Sequence, residues 1–404
     1  MRLLNRSMLM LAVLSAGCGT GPAANGTAPA DDAATTSAVH VDYEAIAQGI
    51  VTRAAHVREG DRVMITGDPR DQELLENLVV NIMKQGAHPI LVTNTERTTL
   101  RSYDDVPASY DSIEDPWNRL MAEHADVWIS FASVETPGLL AHVPPARIEA
   151  RSAANNAVMN TVNKRNVRLV EIGNGLYPTA YTASVHGLKQ DELARIFWAG
   201  IDTDPASLDA AAARVQGELS KGGEVHITGS NGTDLTFRLA GRKALVNDGA
   251  IGPEDEAAGG GAVQVYVPAG EVYTVPQPGT ANGTVVVPRF LFQGKELRDV
   301  RLTFANGKLT AMEGPAGFEA VKARYDAGPK GKELFAGVDV GINTGIPANK
   351  ILGWVPAGMI TVGIGNNTWA GGDNAINFGF WWFLPGMSLT IDGAPIVENG
   401  VLKI

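Results

Sequence analysis

Apolar positions recur every three to four residues in "YEAIAQGIVTRAAHV" (43–57) and "QELLENLVVNIMKQGA" (72–87), which predicts two helices, the second closed by Gly86. Each is followed by a short apolar run of strand character, in "REGDRVMITGD" (58–68) and "HPILVTN" (88–94). Two more such runs lie in "HADVWISFAS" (124–133) and "NVRLVEIGN" (166–174). Helices alternating with short buried strands predict an α/β, Rossmann-like domain with a parallel sheet over 41–220, its last helices at 189–201 and 205–219. Beyond about residue 222 the pattern changes to strands and turns. "EVHITGSNGTDLTFRLAG" (224–241) and "DVRLTFANGKLTAME" (299–313) each read as a hairpin, turning at Asn231-Gly232 and Asn306-Gly307. "VPAGEVYTVPQPGTANGTVVV" (267–287) reads as a strand, a tight turn and another strand. The expected second domain, 221–404, is therefore mostly β (α+β), with glycine-rich stretches such as 257–272 suited to close backbone approaches around a cleft.

Composition narrows the function. The net charge of −11, from 44 acids and 33 bases with no basic cluster, excludes nucleic acid as the expected partner and favours a small-molecule or peptide ligand. "ITGDPRDQ" (65–72) has one glycine and two acids where a dinucleotide site needs a glycine-rich turn, so no pyrophosphate is expected there. At the start, Arg2 and Arg6 precede an apolar stretch (7–17) too short to span a bilayer, which predicts an export signal over 1–17. "LSAGC" (14–18) resembles a bacterial lipoprotein box and implies lipid attachment to Cys18, the only cysteine, so that no disulfide or thiolate metal site is available within the chain. Residues 19–40 are almost all small or polar and predict a flexible tether. The expected location is the cell envelope, anchored to the outer membrane and facing the periplasm.

Five segments then fall in one order: "GTDLTF" (232–237), "VPAGEVYTVP" (267–276), "ANGTVVV" (281–287), "GVDVGIN" (337–343) and "IDGAPIVENG" (391–400). That order resembles the aminopeptidase T family of metallo-aminopeptidases. The resemblance implies an active-site cleft in the second domain, a two-metal centre that activates water, and a homodimer. Carried over position by position, it implies a first metal ligand at Glu271. The other ligand positions fall on Gly337, Thr361, Asn377 and Gly379, and an expected tyrosine on Thr368, so four of five ligands are replaced. None of the seven histidines lies beyond His226. Asp339 and Asp373 are the carboxylates nearest in sequence to the lost positions. With Glu271 and amides they would hold at most a hard divalent ion, a poor activator of water.

Each of these residues also has a plainer reading. Glu271 suits a buried acid hydrogen-bonded to loop amides, Asp339 and Asp373 suit turn or surface acids, and "NFGFWWF" suits a core strand. Asn366, Asn367, Thr368 and Trp369, with Trp381 on the neighbouring run, have the composition of a cleft for a neutral polar ligand such as a sugar or a peptide backbone. No Gly-x-Ser-x-Gly, His-Glu-x-x-His or Cys/His pair is present, and Ser184-Val185-His186 has no evident third partner. The leading expectation is an anchored, aminopeptidase-like binding protein without peptidase activity and without a metal cofactor. The alternatives are an aminopeptidase using divalent ions at a rearranged carboxylate site, and a structural envelope protein with no ligand.

Overall fold

A computed structural model describes residues 41–292 and 295–403. The signal peptide, Cys18 and the tether expectation lie outside the described residues. Five strands, β1 (Arg62–Gly67), β2 (His88–Thr93), β3 (Val127–Phe131), β4 (Arg168–Ile172) and β8 (Gln264–Val267), form a parallel sheet in the order β2-β1-β3-β4-β8. Burial on both faces explains the unbroken apolar run Val63–Met64–Ile65 in β1. Val63 and Ile65 pack with helices Tyr43–Gly49, Gln72–Lys84 and Gln190–Ile201, while Met64 packs with Pro116–His124 and Pro145–Arg165 on the other face.

The remaining strands are antiparallel and form two sheets. One contains β7 (Leu245–Asn247), β9 (Glu271–Thr274), β13 (Phe335–Gly341), β14 (Ile360–Gly365) and β15 (Gly379–Leu384), in the order β15-β14-β13-β9-β7. The other holds β5 (Gly223–Thr228), β6 (Asp234–Leu239), β10 (Asn282–Phe292), β11 (Lys295–Ala305), β12 (Lys308–Glu313), β16 (Ser388–Ile391), β17 (Ala394–Glu398) and β18 (Val401–Leu402). Val272, Val338, Val340, Val362 and Trp382 of the first sheet share one core with Val225, Phe237, Val285 and Leu302 of the second. The expected hairpins form: β5 pairs with β6, and β11 pairs with β12 around Asn306 and Gly307, both at positive φ.

Two features are set by pairing rather than by local pattern. The 267–287 stretch contains a strand, a turn and a strand, with β9 and β10 on either side of the turn, but β8, β9 and β10 belong to three different sheets. The division at 220/221 is also crossed, because β8 pairs with β4, and Ile346, Ile351, Trp354 and Val355 join the core of the α/β unit. Local pattern identifies a strand but not its partner, and β8 is an apolar run like any other until β4 pairs with it.

Candidate functional site

Strand register sets the geometry. Gly341 stands opposite Glu271, Asp339 opposite both Tyr273 and Thr361, Gly337 opposite Gly363, Thr361 opposite Phe383, Gly363 opposite Trp381, and Gly365 opposite Gly379. With a period of two, Glu271, Gly337, Asp339, Thr361, Gly379 and Trp381 all share one face of the β7-to-β15 sheet, and the valines between them line the opposite, core face. Trp381 and Phe383 on this face pack against the core of the α/β unit. The positions implied by the resemblance thus converge on a single surface at the junction of the two halves, except Asn377, which is exposed just before β15.

Glu271, Asp339 and Thr361 are fully buried. Asn247, opposite Glu271 on β7, donates to Glu271 Oε1 at 3.0 Å and to the Tyr266 carbonyl at 2.9 Å, so an amide steadies this carboxylate. Glu271 and Asp339 are diagonal neighbours across β9 and β13, a relation that separates Cα atoms by about 7–8 Å. Asp373 lies apart from them in an exposed loop. Among the described residues no three His, Cys, Asp or Glu side chains gather as a metal-holding group. The Glu271, Asp339 and Asp373 set is therefore not assembled.

Aromatic rings close over this face. Trp369 lies 5.0 Å from Tyr273 and 5.1 Å from Trp381, and Trp354 lies 5.3 Å from both Trp381 and Phe383. The Trp381 indole rests directly on Gly363, where a Cβ would come within 2.4–2.6 Å of three of its ring atoms. It also reaches Gly337, where a Cβ would meet the Thr274 carbonyl oxygen at 2.9 Å and Trp381 Cη2 at 3.2 Å. The space above Gly337, one position where the family resemblance expects a metal ligand, and above its cross-strand neighbour Gly363 is filled by an indole. Thr361, at the expected histidine position, presents a buried hydroxyl without a hydrogen-bond partner, and that neutral oxygen is no substitute for an imidazole. The residues present do not fit a two-metal centre.

Asn343 holds the approach to Glu271. Its Nδ2 donates to the carbonyls of Gly200 (2.9 Å) and Ala269 (2.7 Å), while Oδ1 accepts from Thr203 Oγ1 and from the Gly345 amide, both at 2.9 Å. Gly270, at φ +119°, lies so close that a Cβ there would stand 2.7 Å from the Asn343 Cβ, which explains the glycine before Glu271.

The polar side chains of the 365–374 loop bond to neighbouring backbone and to one another. Asn366 donates to the Ile376 carbonyl at 2.7 Å and accepts from Thr368, while Asn367 donates to the Ala336 carbonyl at 3.2 Å and accepts from the Asn374 amide at 2.9 Å. These polar groups build the loop that presents Trp369. Sequence reading passed over Asn247 and Trp354, which bring no motif of their own and join the site through strand pairing and ring packing. Ser184 and His186 form no catalytic pair. Ser184 donates to the Tyr181 carbonyl at 2.7 Å, and His186 Nδ1 accepts from the Leu352 amide at 3.4 Å.

Comparison with known proteins bears on the fold and the family. No curated protein matches the chain. Two solved structures share its fold: wild-type AmpT from Thermus thermophilus (16% identity, TM-score 0.67, covering 90% of this chain and 99% of that one), and 2,5-dihydroxypyridine dioxygenase from Pseudomonas putida (14% identity, TM-score 0.55, covering 89% and 96%). The family model described as thermophilic metalloprotease (M29) matches residues 40–330, a span that includes Glu271 and ends before Gly337, Thr361, Asn377 and Gly379. The chain belongs to the thermophilic metalloprotease (M29) family.

Proposed function

We propose that this M29-family chain does not hydrolyse peptides and acts instead by binding, as a lipid-anchored protein of the bacterial envelope. The observation that carries this reading is the Trp381 indole lying on Gly363 and against Gly337, in the space a metal ligand would need. The end of the family match before the four replaced positions supports it. Fold alone does not decide the chemistry, since one structural neighbour is named as a dioxygenase. A peptide or a small neutral molecule is the expected ligand class, held against the half-buried Trp369 and Trp381 at the junction of the two halves.

Purified protein incubated with amino-acid p-nitroanilides and dipeptides, with and without added zinc, cobalt or magnesium, is expected to release nothing above background. Elemental analysis of the same preparation is expected to find less than one equivalent of metal. Chelator-sensitive hydrolysis that disappears in Glu271→Ala would overturn the reading. It would favour a rearranged centre, for which the shared burial of Glu271 and Asp339 on one face is the supporting observation.

A further inference from the structure

A pocket of about 180 Å³ opens beside the first helix, and none of Glu271, Asp339, Thr361, Trp369 or Trp381 lines it. Its walls come from the helix Tyr43–Gly49 and the turn after it, the end of the helix Gln190–Ile201, the start of the helix Pro205–Lys221, and the chain at the ends of β7 and β8. Ile46, Ile50, Leu208, Val267 and Ala269 give it an aliphatic lining. A cavity of about 150 Å³ takes up benzene, so this space suffices for a small ligand. Asn343 fixes the wall from behind, donating to the carbonyls of Gly200 and Ala269 and accepting from the Thr203 hydroxyl. The wall also contains a π-turn, Ile50–Ala54, in which the Ala55 amide donates to the Ile50 carbonyl at 2.8 Å. Such turns are rare and occur mostly at functional sites. Ile50, Arg53 and Ala54 of this one line the pocket.

Charge decides what the pocket takes. Its ionisable lining groups are one cation, Arg53, and two carboxylates, Asp202 and Asp248. Arg53 is already committed, since its Nη2 donates to Asp209 Oδ1 at 2.7 Å and to the Asp248 carbonyl at 3.2 Å. The Thr203 hydroxyl is likewise held, by the Ala199 carbonyl and Asn343 Oδ1. Asp248 differs from both. Its Oδ1 accepts from the Ala250 amide at 2.9 Å, whereas Oδ2 has no hydrogen-bond partner among the described residues. Burial, and secondarily the charges of Asp209 and Asp255, raise this carboxyl above its ordinary range against the pull of the Ala250 amide and Arg53. A half-buried carboxylate with an unused oxygen beside aliphatic walls suits a cation that carries its own apolar body.

We infer that this pocket binds a small aliphatic primary amine, with the ammonium group on Asp248 and the alkyl chain against Ile46, Ile50, Leu208 and Val267. The pocket is separate from the tryptophan face, so the inference does not rest on the function proposed above, and either can fail without the other. Saturation-transfer NMR titrations of the purified protein at pH 7 with n-pentylamine, n-pentanol and pentanoate test it. The amine is expected to bind about tenfold more tightly than the alcohol or the acid, the scale of one charge-assisted hydrogen bond. Asp248→Asn, which keeps an oxygen for the Ala250 amide, is expected to remove that preference while leaving the thermal midpoint unchanged. No binding of the amine, equal binding of amine and alcohol, tighter binding of pentanoate, or an amine preference that survives in folded Asp248→Asn would each overturn the inference. The second outcome would indicate a plain apolar cavity, the third a site built on Arg53, and the last a carboxylate elsewhere. The comparison of the three probes uses the unmodified chain, so it decides even where the variant does not fold.

Discussion

His186 is held uncharged by its surroundings: burial, and secondarily the nearby Arg289 guanidinium, push its pKa down to about 4. Its Nδ1 accepts a backbone hydrogen bond, which protonation would remove. Because the folded value lies below the ordinary one near 6.5, the unfolded chain binds the extra proton first as pH falls. The contribution is complete above pH 6.5 and lost progressively down to about pH 4, for a total of about 3 kcal/mol. Denaturant titrations at pH 7 and pH 4 should show His186→Leu losing less stability between the two than the unmodified chain; equal losses would place the dependence elsewhere. At this scale the sequence was most legible where a motif fixed a position. Glu271, Gly337, Thr361 and Gly379 fall on one face because period-two geometry follows from the strand itself. What a neighbouring strand supplies was not legible. Asn247 reaches Glu271 only because β7 pairs with β9, and nothing near residue 247 announces that pairing.

The elements around the site are joined by one side chain. Asn343 ties the helix Gln190–Ile201, the turn before β9 and the chain after β13 through four hydrogen bonds, and it is fully buried. Asn343→Ala leaves two carbonyls, a hydroxyl and an amide without this partner, and is expected to cost about 2–4 kcal/mol by chemical denaturation. A loss below 0.5 kcal/mol would mean that water replaces the amide without penalty. Strongly amphipathic helices such as Gln72–Lys84 were readable from their spacing, whereas Pro145–Arg165 was not anticipated. That helix buries only Val158 and Val162, and much of the rest is alanine, asparagine and charge, so it forms without an apolar stripe to betray it. β8 was readable as a strand, but its return to the parallel sheet depends on a contact with β4 almost a hundred residues away in sequence.

For the molecule as a whole, the proposed absence of the metal ions that the family's name implies has a thermal consequence. If those ions were bound at a hundred times their dissociation constants, each would add about 2.7 kcal/mol to stability, and chelation would lower the melting midpoint by several degrees. Melting curves with excess chelator and with millimolar zinc, manganese or magnesium are expected to superimpose within about 1 °C. A chelator-induced drop of several degrees would show a bound ion and reopen the question of hydrolysis.

The indole of Trp381 also has a mutational consequence. A carboxylate returned to position 337 would collide with the Thr274 carbonyl and with the ring, and removing the ring alone would open a hole between Gly363 and Trp354 with no ligand to line it. Removing the ring leaves the Thr274 carbonyl in the way at 337, and neither change supplies ligands at 361, 377 and 379. On the proposed reading, no single substitution in this chain would build a peptidase site: the indole, position 337 and the three further positions would have to change together.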